Sequence, residues 1–116
     1  MHCIVYASGG FFMDNQLKRG LLDVCALKAT LARETYGYQI IKDIRPYIEI
    51  KESTLYPILR RLEAQGLLSS RGEEHNGRIR KYYNITKDGR ERLREFKEEW
   101  NELNKIYEFL RGDDGE

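Results

Sequence analysis

From residue 16 onward, apolar residues recur at helical spacing in four separate windows. Leu17, Leu21, Val24, Leu27 and Leu31 step by three or four residues, which predicts a first helix over 16–32 with a buried stripe. Leu22, Cys25 and Ala29 widen that stripe, so this helix is expected to be covered on two sides. Ile40, Ile41 and Ile44 mark a second helix from Tyr36 to Ile44, with Tyr36 turned inward and Tyr38 outward. Pro46 should close it, because proline disfavours helical geometry in the residue before it. Ile48 and Ile50 alternate with Glu49 and suggest a short extended anchor. Leu55, Ile58, Leu59 and Leu62 define a third helix, from Lys51 or Glu52 to Gln65. Gly66 sits where a glycine commonly ends a helix.

Beyond Gly66 the pattern reads as two strands, Leu67–Arg71 and Arg78–Ile85. Asn76-Gly77 between them is a tight-turn dipeptide, since both residues tolerate positive φ. Glu73 and Glu74 are expected to lengthen the loop. Alternation sends Arg78 and Arg80 to one face and Ile79, Lys81 and Tyr83 to the other, with Ile79 and Tyr83 in the core. Thr86 is placed to cap a last helix, and Asp88 suits its first turn. In that helix Leu93, Phe96, Trp100, Leu103, Tyr107 and Leu110 succeed one another at heptad spacing, the pattern of a helix packing along another helix. A helix over 87–110 spans ~36 Å, more than a small domain can cover alone. A second copy of the chain is the simplest cover.

The expected architecture is mainly α with a small β-hairpin: a winged helix-turn-helix over 13–86, then a dimerisation helix over 87–111. Residues 1–12, which lack Lys and Arg, differ in character from the rest of the chain. They read as an upstream-shifted start or cloning remnant, or else as an apolar arm packing on a partner subunit. Residues 112–116 read as a disordered acidic tail.

Net charge changes the picture only through its distribution. The chain carries +1 overall, yet residues 51–86 carry +3 and residues 87–116 carry −3. The basic excess therefore coincides with the third helix and the hairpin. No run of eighteen apolar residues suggests a membrane span. Cys3 and Cys25 are far apart, form no metal-ligand spacing and fit a reducing cytoplasm. The chain shows no pairing of base and nucleophile, no phosphate-binding glycine loop and no ligand cluster, so neither an enzyme nor a cofactor is expected.

The third helix has a second, polar face of Ser53, Thr54, Tyr56, Pro57, Arg60 and Arg61. Small hydroxyls, an aromatic ring and guanidinium groups are the chemistry that reads base edges and grips phosphate. Pro57 comes after Tyr56 near the start of the helix, where proline costs no hydrogen bond. Arg78, Arg80 and Lys81 flank the hairpin tip, with His75 and Asn76 upon it. Tyr38 and, one turn on, Lys42 are placed to hold a phosphate at the start of the second helix. A reader helix joined to a basic hairpin points to double-stranded DNA. The competing reading is a protein-interaction module that uses the same fold without DNA.

The ordered set Tyr36-Gly37-Tyr38-Gln39-Ile40, Thr54-Leu55-Tyr56-Pro57, Arg61-Leu62-Glu63, Gly66-Leu67, Arg80-Lys81-Tyr82-Tyr83, and Thr86 with Gly89 resembles the PadR family of bacterial transcriptional regulators. The resemblance covers residues 16–110. It implies a winged helix-turn-helix whose C-terminal helix packs on helix one and dimerises. It further implies a repressor bound to a palindromic operator and released by a small molecule. The short C-terminal helix is similar to that of the compact subgroup, some members of which bind aromatic compounds at the dimer interface beside a tryptophan. Trp100 matches that position. Leu17, Leu21, Val24, Leu93, Phe96, Leu103 and Tyr107 are the residues assigned with it to the dimer and effector interface.

Overall fold

The computed structural model describes residues 15–112. Residues 1–12, with the arm or remnant reading placed on them, lie outside the described residues, as do residues 113–116 of the tail; Gly112, read as the start of the tail, instead ends the last helix. The element order is α1 (Asn15–Ala32), β1 (Thr35–Tyr36), α2 (Gly37–Ile44), α3 (Glu52–Ala64), β2 (Leu68–His75), β3 (Arg78–Ile85) and α4 (Lys87–Gly112). The four helical windows read from spacing are thus all helices, and the hairpin is present. The sheet has three antiparallel strands rather than two, in the order β1-β3-β2. The added strand, β1, pairs Thr35 with Tyr83 and Tyr36 with Tyr82.

One core serves the winged head. Leu22, Ala26 and Leu27 of α1 meet Ile40, Ile41 and Ile44 of α2 and Leu55, Leu59 and Leu62 of α3. Leu68, Tyr83 and Ile85 close it from the sheet. Each fully buried Leu or Ile contributes ~1.5–3 kcal/mol, so this cluster dominates the stability of the head. Ile50 is buried and Ile48 is partly buried against the core, but the link begins as a turn rather than the extended segment expected, with the Tyr47 and Ile48 N–H groups donating to the Ile44 carbonyl. On α1 the main core takes Leu22, while Leu21 is half-buried and Leu17 is exposed. Val24 and Leu93 are buried outside the main cluster, where α1 packs against α4.

Several local expectations are corrected. Arg45 keeps helical angles although Pro46 is its neighbour, so α2 ends because the proline ring has no N–H to continue the ladder. Pro57 is the sixth residue of α3, not part of its first turn, and it has no N–H to return to the Ser53 carbonyl. Glu73 and Glu74 are strand residues, opposite Arg80 and Ile79. With His75 opposite Arg78, the loop is Asn76-Gly77 alone, and both residues have positive φ. Ile79 is not core; it is 71% exposed. β1 reaches only Tyr82 and Tyr83, so the outer half of the hairpin has no third strand to cover it. Tyr36 is half-buried rather than inward, edge-on to Tyr82 at 5.6 Å between centroids.

The joint between the head and α4 is tight. The Thr86 hydroxyl donates to the Gly66 carbonyl at 2.7 Å and accepts from the Gly89 N–H at 3.0 Å. The backbone N–H of Thr86 donates to the Leu67 carbonyl. A Cβ on Gly89 would stand 2.2 Å from the Leu67 carbonyl oxygen, which explains the glycine in this first turn. The end of the third helix and the start of the last are thereby fixed to one another. No helix among the described residues is long and apolar enough to cross a membrane.

Candidate nucleic-acid interface

The inner side of α3 carries Leu55, Ile58, Leu59 and Leu62, all buried. Helical periodicity therefore leaves Ser53, Thr54, Tyr56, Pro57 and Arg60 exposed on the outer side. Two clefts flank this ridge. The larger, of about 520 Å³, lies between α3, the start of α2 and the wing. It gathers Tyr38, Tyr56, Arg60, His75, Arg78, Arg80 and Lys81, seven of the thirteen residues assigned to DNA from sequence. Among the described residues, none of the side chains lining it is a carboxylate. The other cleft, of about 470 Å³, lies between α3 and the start of α1 and takes Ser53, Thr54, Pro57 and Arg61. Lys42 stacks on the Tyr38 ring at 5.4 Å, outside both clefts, and Asn76 is exposed at the turn.

Tyr56 owes its position to a glycine on another helix. Its hydroxyl and ring edge rest where the Cβ of any other residue at 37 would stand, within 2.6–2.8 Å. Gly37 thus seats Tyr56 against the start of α2 while the ring still lines the cleft. Burial, then Glu52 and Tyr83, push the Tyr56 phenol above its ordinary pKa, so it remains a hydrogen-bond donor at neutral pH.

The wing is braced by a stack of alternating cations and rings. Arg80 lies over Tyr36 at 4.1 Å, and Tyr36 meets Tyr82 edge-on. Arg71 lies over the same Tyr82 at 4.9 Å. The two arginines differ in charge balance. Arg71 makes a two-pronged bond to Glu34, both arms 2.8 Å, and a third to Glu73. Arg80 has no carboxylate among its hydrogen-bond partners; its guanidinium donates to the Tyr82 hydroxyl. Stacking holds the Arg80 charge in place without neutralising it. Lys81 is tied to Glu63 at 3.3 Å, and Ser70 donates to the same carboxylate at 2.6 Å.

Arg60 and Arg61, adjacent in sequence, fare differently. Arg60 is exposed in the larger cleft. Arg61 is half-buried and forms a fork with both Asp23 oxygens at 2.9 Å, tying α3 to α1. Its pKa is raised, first by that hydrogen bonding. In this structure its donors serve the protein rather than the outer surface.

Sequence reasoning missed Tyr36, Gly37, Ile79 and the carboxylates that tether Arg61, Arg71 and Lys81. Gly37 carried a local signal, a glycine between two tyrosines. The tethers carried none, since Asp23 lies thirty-eight residues from Arg61 and Glu34 thirty-seven from Arg71.

On α4 the described side chains beyond Phe96 are open to solvent. Trp100 is 44% exposed, Leu103 48% and Tyr107 57%. Phe96 is half-buried, with its ring 6.0 Å from that of Trp100. Ile106 and Phe109, which the heptad reading did not include, are exposed beside them.

Comparison with known proteins agrees with this geometry. The model of the transcriptional regulator PadR-like family matches residues 27–95. The crystal structure of a PadR family transcription regulator from Clostridium difficile is 35% identical, with a TM-score of 0.71 over 78% of this chain and 99% of its own. A PadR family transcriptional regulator from Eggerthella lenta is 36% identical, with a TM-score of 0.76 over 85% of this chain and 88% of its own. A transcriptional regulator of Mycobacterium tuberculosis is 33% identical over 89 residues, covering 76% of this chain and 83% of its own. The chain belongs to the PadR-like family of transcriptional regulators, DNA-binding proteins of winged-helix fold rather than enzymes.

Proposed function

We propose that the protein acts as a homodimeric repressor that reads a palindromic operator and is released by a small aromatic effector. The observation that carries the DNA part is the carboxylate-free cleft in which Tyr38, Tyr56, Arg60 and the wing cations converge. Arg60 faces base edges; Arg78 and Arg80 hold the backbone beside the wing. In a two-fold dimer the two reader helices enter successive major grooves ~34–36 Å apart.

The open face of α4 supports the dimer. Only Gly89 and Leu93 of its 26 residues are buried. An apolar heptad seam left uncovered by its own chain is self-complementary across a two-fold axis. In such a dimer two Trp100 indoles lie close to the axis, and a gap between them would take a planar ring. An effector there would act through the Thr86–Gly89 joint, which links α4 to the end of α3.

Transcription from the chain's own promoter, measured with and without the gene, tests the repressor assignment. Higher transcription without the gene is expected; lower transcription would make the protein an activator. Titration of the dimer with planar aromatic compounds should quench Trp100 fluorescence and weaken DNA binding together. Quenching without any change in DNA binding would separate the slot from regulation.

A further inference from the structure

An α-helix with its side chains is ~10–12 Å across, close to the ~12 Å width of the major groove. A reader helix lying in that groove therefore has a wall of phosphates on each flank. The wing-side cleft supplies cations for one wall only. On the opposite flank, the cleft of about 470 Å³ is lined by Lys18 and Arg19, near the start of α1, together with Ser53, Thr54, Pro57 and Arg61 of α3. Among the described residues, no carboxylate lines it. Arg61 is held by Asp23 and does not offer its fork. The side chains of Lys18 and Arg19 form no hydrogen bond or ion pair among the described residues.

Two cations beside two exposed hydroxyls, with no ion pair and no acid in the lining among the described residues, make a surface for a phosphodiester. The Arg61–Asp23 fork joins α1 to α3, so these cations ride on the same rigid body as the reader helix. We propose that this cleft is a second phosphate grip, in which Lys18 and Arg19 hold the wall of the major groove opposite the wing. Ser53 and Thr54 donate hydrogen bonds beside them. The inference rests on the DNA-binding reading above and extends it to α1, which the sequence assigned only to packing and the dimer interface.

The test compares three proteins on a mixed-sequence duplex between ~50 and ~200 mM salt: the wild type, a Lys18→Gln/Arg19→Gln variant and a wing-side Arg78→Gln/Arg80→Gln variant. Each phosphate contact contributes ~0.9 to the slope of log affinity against log salt. Loss of two contacts should make the slope of the Lys18/Arg19 variant shallower by ~1.8, so that the wild type loses about ten-fold more affinity across this range. A slope equal to wild type, with a shallower slope for the wing-side variant, would show that DNA is gripped from the wing side alone and would overturn the inference. A wild type that fails to bind the duplex at low salt would overturn the DNA-binding reading and this inference with it.

Discussion

In the winged head, most apolar side chains of α1, α2 and α3 are covered by the chain itself, and Leu27, Ile40, Leu55 and Leu59 are almost wholly buried. In α4 beyond Phe96, the side chains of Trp100, Leu103, Ile106, Tyr107, Phe109 and Leu110 remain between 44% and 71% exposed. The polar residues differ as well. Those of the head form long-range tethers, Asp23 to Arg61 and Glu34 to Arg71, which hold separate elements together. Those of α4 form local pairs, Arg94 with Glu91 and Glu98 and Lys105 with Glu102, which support a helix without fixing it to anything else. The head is thus a closed unit that presents a polar surface to a polar ligand. The far half of α4 is an unfinished apolar face, which a second chain would complete in the proposed dimer.

Truncation should separate the two regions most sharply. Leu59→Ala removes a fully buried side chain and should cost ~2–5 kcal/mol of stability, at any protein concentration. Trp100→Ala should leave the fold of the head intact and weaken the dimer by ~2 kcal/mol or more, a loss that depends on protein concentration. Sedimentation and thermal melts at several concentrations check both. A concentration-independent loss for Trp100→Ala would place that residue in a monomer core.

Gly89→Ala attacks the joint between the regions. The new Cβ meets the Leu67 backbone oxygen, and overpacking of this kind costs ~1–3 kcal/mol. It should lower the melting temperature and impair DNA binding through misplacement of α3 relative to α4. Wild-type melting and wild-type binding would mean that the joint is looser than its hydrogen bonds suggest.

Arg60 and Arg61 divide along the same line, one facing outward and one tethering. Arg60→Ala should weaken DNA binding by ~1–3 kcal/mol and leave the melt unchanged. Arg61→Ala should instead cost ~1 kcal/mol of stability, because it leaves Asp23 half-buried without its partner. A reversal of these two phenotypes would show that the fork opens on DNA.

The smallest effect concerns acid. Hydrogen bonding from Arg71 holds the Glu34 carboxyl below its ordinary pKa, and that from Ser70, then Lys81, does the same for Glu63. A depressed folded pKa gives stability that is present above the unfolded value of ~4.3 and is lost as pH falls through the folded value. Carboxyl chemical shifts of Glu34 and Glu63 should therefore titrate below those of free glutamate, and the wing should loosen below about pH 4. Titration at the ordinary value would mean that these tethers are open in solution.

Much of this was legible in the chain because it depends on neighbours in sequence. Helical spacing located all four helices, and Asn76-Gly77 located the turn. The outward set on α3 came directly from the inward one. What was hidden depends on distant partners. Thr35-Tyr36 is too short to show a period and becomes a strand only by pairing with β3. The outer part of β2, residues 72–75, is polar and reads as loop; the register of β3 extends it. Arg61 looks like its neighbour until folding brings Asp23 against it.

The most direct test of a dimeric DNA reader is a gel shift of the purified protein on its own upstream promoter DNA, at two salt concentrations, with unrelated duplex as competitor. Retained binding that weakens with salt and resists the competitor is the expected result. Binding abolished equally by any duplex would contradict specific recognition of that promoter and would favour a winged helix that meets proteins instead.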